Sequence, residues 1–62
     1  MKLKELREEN GFTQIQVAEY LNIKQNTYSQ YENEKRQLPI DTLIKLARYY
    51  KVTTDYILGL ED

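Results

Sequence analysis

Thr13-Gln14-Ile15-Gln16-Val17-Ala18-Glu19-Tyr20-Leu21-Asn22-Ile23-Lys24-Gln25-Asn26-Thr27-Tyr28-Ser29-Gln30-Tyr31-Glu32-Asn33 sets two helices almost end to end. Thr13 and Gln16 match the Thr-x-x-Gln capping box, in which a hydroxyl and an amide satisfy the orphan backbone donors at a helix start. The helix that follows turns Val17, Ala18 and Leu21 inward and stops near Asn22, a residue that tolerates positive φ. A second helical stretch runs from Lys24 to Glu32, so the chain must turn sharply between the two.

At about 100° per residue, Gln25, Asn26, Ser29, Gln30 and Asn33 share one arc of that second stretch, while Thr27, Tyr28 and Tyr31 share the other. A solvated helix face usually carries Lys and Glu. This one carries amides and a hydroxyl, which offer donors and acceptors without repelling phosphate, and Gln or Asn can bond adenine N6 and N7 together. On side-chain chemistry alone the arc reads either as a base-reading surface or as the ordinary surface of an amide-rich sequence.

Working outward, Leu3 and Leu6 mark one side of a first helix that ends near Asn10, with Gly11 suited to a left-handed stop and Phe12 returning to the core. Downstream, Pro39 suits a helix start, Asp41 meets the positive end of the helix dipole, and Leu43, Leu46, Ala47 and Tyr50 form an apolar stripe. Val52 leads to Thr53 and Thr54, either able to cap a last short helix through Tyr56, Ile57 and Leu58 that ends at Gly59. The reading is all-α, five short helices in one domain over residues 1–62, with no repeat or linker.

Composition narrows the function. The chain has no cysteine and no histidine, which removes disulfides, Cys/His zinc sites, thiol nucleophiles and the usual neutral-pH base. Its acidic pairs, Glu8 with Glu9 and Glu32 with Glu34, read as solvated faces or as the partner of Arg7, and no nucleotide loop or metal spacing occurs. The expectation is no catalytic residue, no cofactor and no metal. The N-terminus lacks an apolar signal core and no long apolar run occurs, so no membrane is expected and the location expected is cytoplasmic. Nine Lys and Arg against ten Asp and Glu give a net charge of −1, which argues mildly against nucleic acid. What binds phosphate is a local patch, so distribution outweighs the sum.

The runs Leu6-Arg7-Glu8-Glu9-Asn10-Gly11-Phe12-Thr13-Gln14, Val17-Ala18-Glu19-Tyr20-Leu21-Asn22-Ile23 and Thr27-Tyr28-Ser29-Gln30-Tyr31-Glu32-Asn33 resemble the Cro and lambda-repressor type (XRE family) of helix-turn-helix domains, and Leu38 to Gly59 continues the likeness. The resemblance implies a compact five-helix lambda-repressor-like fold with the helix-turn-helix over about 14–33, the third helix in the major groove. It implies base contacts from Gln25, Asn26, Ser29 and Gln30, and phosphate contacts from Gln14 and from Asn33, Lys35 and Arg36 in the loop that follows. Gln14 also reads as a plain capping-region residue. Arg7 is expected to pair with Glu32 across the motif in preference to touching DNA.

Two positions depart from the family. Lys24 stands where Ser or Thr often caps the third helix, so the cap is lost, and its ammonium either reaches a phosphate or stays solvated. Glu34 replaces a frequent glycine and brings a carboxylate toward the same side. Small Ala18 lets the two helices of the motif approach. Tyr28, Tyr31, Tyr50 and Tyr56 fall on core stripes, whereas Tyr20 and Tyr49 are expected to be partly exposed.

The partner expected is a double-stranded, palindromic DNA operator bound by a homodimer, at least on DNA, with the chain acting as a prokaryotic or phage transcriptional regulator of the repressor kind. The competing reading is a protein-binding module, such as an antitoxin gripping a toxin. It would need aromatic or aliphatic anchors that the amide arc does not offer.

Overall fold

In the computed structural model, which describes residues 1–61, the chain forms α1 (Leu3–Glu9), α2 (Gln14–Leu21), α3 (Gln25–Glu32), α4 (Ile40–Tyr50) and α5 (Thr54–Leu58), with no strand among the described residues. Local chemistry sets the starts. Thr13 Oγ1 accepts from the Gln16 amide at 3.1 Å while the Gln16 side chain accepts from the Thr13 amide at 2.8 Å, a complete capping box on α2. Thr53, not Thr54, caps α5, accepting from the Tyr56 amide at 3.0 Å. The third helix begins one residue later than its sequence pattern suggests, because Lys24 is its N-cap, in extended backbone and with no side-chain cap bond.

All five helices stop in the same way. Gly11, Asn22, Glu34, Lys51 and Gly59 each adopt positive φ, between 56° and 80°. The residue after each one donates to a carbonyl five positions back: Phe12 to Arg7, Ile23 to Ala18, Lys35 to Gln30, Val52 to Ala47 and Leu60 to Asp55. Each is a Schellman motif, which satisfies the carbonyls that a helix end leaves open. Glycine is at ease there and asparagine nearly so, but Glu34 and Lys51 hold a conformation that a side chain with a Cβ disfavours.

The helices enclose Leu3, Leu6, Val17, Ala18, Leu21, Tyr28, Tyr31, Leu46, Ala47, Tyr50 and Ile57, with Phe12, Leu43, Val52 and Tyr56 packed at the margin. Burying a large apolar side chain is worth about 1.5–3 kcal/mol, so this one cluster carries the fold. Ala18 is 2% exposed where α2 meets α3, the most extensive helix pairing in the molecule. Leu58, in the last helix, is 40% exposed, since a helix of five residues turns little more than Ile57 fully inward. Tyr20 is half exposed and stacks on Tyr49 at 3.9 Å, and Tyr49 stacks on Phe12 at 5.3 Å. Those rings therefore serve as a ladder tying α2 to α4.

Candidate nucleic-acid interface

The two faces of α3 separate as its periodicity requires. Tyr28 and Tyr31 are buried, Gln25 and Asn26 are exposed, and Ser29 and Gln30 are half-buried on the outward side. Lys24 precedes them on the surface, and Asn33, Lys35 and Arg36 follow in the exposed loop that leaves α3. Asn33 donates to Ser29 Oγ at 3.3 Å, so these two polar groups are already joined. Every residue expected to touch a base or phosphate therefore lies in, or next to, one helix and its flanks, with Gln14 contributed by the start of α2.

No carboxylate from α3 itself shares this surface, because Glu32 is turned away from it. Arg7 Nε donates to Glu32 Oε2 at 2.6 Å and Nη2 to Oε1 at 3.3 Å, with side chains only 12% and 3% exposed. Arg7 Nη1 also donates to the Phe12 carbonyl at 3.0 Å, so the guanidinium clamps α1, the turn before α2 and α3 together. Burial by itself pushes the Glu32 carboxyl up, but the bonds from Arg7 and Gln14, the nearby Tyr28 hydroxyl and the Arg7 charge outweigh it and hold the group below the ordinary carboxyl range. The bond to Glu32 holds the Arg7 guanidinium protonated still more firmly than usual.

Behind the pair, burial and the neighbouring carboxylate push the Tyr28 phenol far above its ordinary range. Burial, with Tyr49 beside it, pushes Tyr50 up to about 12. Both hydroxyls are sealed from water near the same cluster, yet neither completes a hydrogen bond of good geometry. These phenols stay neutral at any ordinary pH and act as packing.

Gln14 holds a place that the sequence does not disclose. Its Nε2 donates to Glu32 Oε1 at 3.1 Å and its Oε1 accepts from Gln25 Nε2 at 3.4 Å, which links the ion pair to the exposed arc. The partners stand 18 and 11 positions apart, so no local pattern signals them. Of the two departures, Lys24 makes no cap bond, and Glu34 is exposed with φ 56°. No group of His, Cys, Asp and Glu among the described residues could hold a metal ion, and no helix is long and apolar enough to cross a membrane.

The family model described as helix-turn-helix matches residues 3–57. The HTH-type transcriptional regulator ImmR of Bacillus subtilis (strain 168) is 48% identical over 98% of this chain and 48% of its own length. The uncharacterized HTH-type transcriptional regulator YobD of the same organism is 44% identical over 98% of this chain and 54% of its own. The cryptic phage CTXphi transcriptional repressor RstR of Vibrio cholerae is 35% identical over 82% of this chain and 46% of its own. The chain thus spans about half the length of the curated relatives it matches. No solved structure gives a significant match. From its all-helical fold, its paired α2 and α3 and this match over nearly its whole length, the chain belongs to the helix-turn-helix family.

Proposed function

We propose that this chain binds double-stranded DNA in a sequence-specific way, with α3 in the major groove, as a cytoplasmic, non-enzymatic regulator of transcription that acts as a repressor. The observation that carries this reading is the outward face of α3. It presents Gln25, Asn26, Ser29 and Gln30 while its one carboxylate, Glu32, is locked inward on Arg7. In this reading those four residues meet base edges, and Gln14, Lys24, Asn33, Lys35 and Arg36 meet phosphates, with Lys24, Lys35 and Arg36 supplying the local positive patch that the net charge conceals. The names of the relatives, transcriptional regulators and a phage repressor, support the same class.

A domain this small covers one half-site, so tight binding calls for two copies on a two-fold operator with half-sites about one helical turn apart. Ile40, Leu58 and Leu60, exposed around the last two helices, offer apolar surface for such pairing.

The test is selection from a random duplex pool at several salt concentrations, with a Gln25→Ala, Gln30→Ala double variant alongside. The expected outcome is an enriched palindrome, affinity falling steeply with salt, and a variant that melts normally but loses about 1–3 kcal/mol of discrimination at each contacted base pair. Enrichment of no duplex at low salt would refute the reading.

A further inference from the structure

The loop that leaves α3 and crosses to α4 borders an open groove of about 580 Å³, closed on its other sides by Met1 and by Leu58 of α5. Met1, Leu38 and Leu58 give the groove an apolar lining, and Leu58, 40% exposed, is a side chain that its own core leaves uncovered. Lys35 and Arg36, both exposed, give it charge. Among the described residues neither cation is in an ion pair. Glu34, the one anion of the lining, lies 3.9 Å from the Met1 amino group instead.

Two unpaired cations beside an apolar lining call for a ligand that is acidic and apolar at once. A DNA phosphate matches the cations and leaves the lining uncovered, because the duplex backbone is polar and charged. A second copy of the chain, meeting this one across a two-fold axis at the groove, would set Lys35 and Arg36 against their own counterparts, and like charges repel. A small acid would stay largely in water, since sites for such ligands bury most of what they hold and this groove is open. An extended acidic peptide fits better. Its successive side chains point to opposite sides, so one set meets the lining while the other meets the cations. A segment longer than the groove can also cover Ile40 and Leu60, exposed apolar residues two positions beyond Leu38 and Leu58.

We propose that this groove is a docking site for an acidic peptide segment of a partner protein, with an apolar side chain against Met1, Leu38 and Leu58 and carboxylates on Lys35 and Arg36. Because the proposed function assigns those two cations to DNA phosphates, the segment and the operator exclude each other, and docking releases the domain from DNA. The exclusion rests on that function; the docking does not.

The experiment titrates the full chain against a capped, fluorescently labelled hexapeptide that alternates Glu and Leu, beside versions that alternate Glu and Ser or Lys and Leu. The Glu-Leu peptide should bind at least about fivefold more tightly than either control, more weakly as salt rises, and with backbone amide shifts centred on residues 34–38 and 58. Leu58→Ser, melting normally, should lose at least about fivefold of that affinity while its affinity for a duplex with one half-site stays within about twofold. A single half-site keeps pairing of copies through Leu58 out of the measurement. On the unmodified chain, saturating peptide should weaken half-site binding at least about tenfold.

A smaller preference for the Glu-Leu peptide over either control, or shifts centred elsewhere, overturns the docking site. If Leu58→Ser does not fold, that comparison on the unmodified chain decides alone. Peptide affinity that falls as chain concentration rises assigns the groove to a second copy, and octanoate binding as tightly as the peptide assigns it to small acids; either result overturns the proposal. Peptide and half-site bound together without loss overturns the exclusion. Failure to bind any duplex refutes the DNA reading, and the peptide data then judge the docking site by themselves.

Discussion

The two helices of the motif are equal in length and unlike in how they are held. α2 carries its own instructions, with a complete capping box at Thr13 and an asparagine at its left-handed stop. α3 begins on an uncapped lysine, ends against a glutamate at φ 56°, and spends its outward face on amides and a hydroxyl that bury little and make only exposed side-chain bonds. It is a helix because its inner side is gripped: Tyr28 and Tyr31 in the core, Glu32 on Arg7, and Ala18 of α2 leaving room for it. α3 thus takes its stability from tertiary contacts on its inner side, and its outer residues carry little of the packing.

Breaking the grip should have the largest effect. Arg7→Met strands a buried carboxylate and is expected to cost about 3–5 kcal/mol, read by urea unfolding at neutral pH. The pH dependence sharpens this. In the native chain Glu32 titrates below its ordinary value of 4.5, so its contribution is present above that pH and is lost as pH falls through the lower folded value. In Arg7→Met burial prevails and raises the folded value, so acid protonates a carboxyl that the fold prefers neutral. The slope due to this group changes sign. Stability of the variant that falls with acid as steeply as the native chain's would contradict the assignment.

Crowding the joint comes next. Ala18→Leu drives a larger side chain between α2 and α3 and is expected to cost about 1–3 kcal/mol, with α3 losing amide-exchange protection ahead of α2.

Two substitutions should instead make α3 resemble α2. Lys24→Ser supplies the missing cap and is expected to add about 1 kcal/mol, read as a raised thermal midpoint. If Lys24 meets a phosphate, the same change makes the salt slope of DNA binding shallower by about one unit. Glu34→Gly relieves the left-handed strain at the other end and should add somewhat less than about 1 kcal/mol. The gain is trimmed by loss of the exposed contact between Glu34 and the Met1 amino group, 3.9 Å away. A thermal midpoint lowered by Glu34→Gly would mean that the loop depends on the carboxylate.

Much of this was legible in the residues. The start at Thr13, the stops at Gly11, Asn22 and Gly59, and the split of α3 into tyrosine and amide faces are all local signals, whereas the choice of Thr53 over Thr54 came only with the fold. The stops at Glu34 and Lys51 were hidden, because neither residue type favours positive φ and only the completed Schellman bonds hold them there. The exposure of Leu58 was hidden as well, because an apolar residue in a very short helix gives no sign of which way it points.

Five helices, their order and an amide surface on the third follow from the residues alone, because capping and periodicity act between residues no more than about four positions apart. Only the tertiary structure decided that Glu32 turns inward, that Gln14 bridges it to Gln25, and that two charged residues take left-handed stops. The first two depend on contacts between residues 11 to 25 positions apart, which exist only once the chain has folded, and the stops on Schellman bonds five positions long that form as the chain packs.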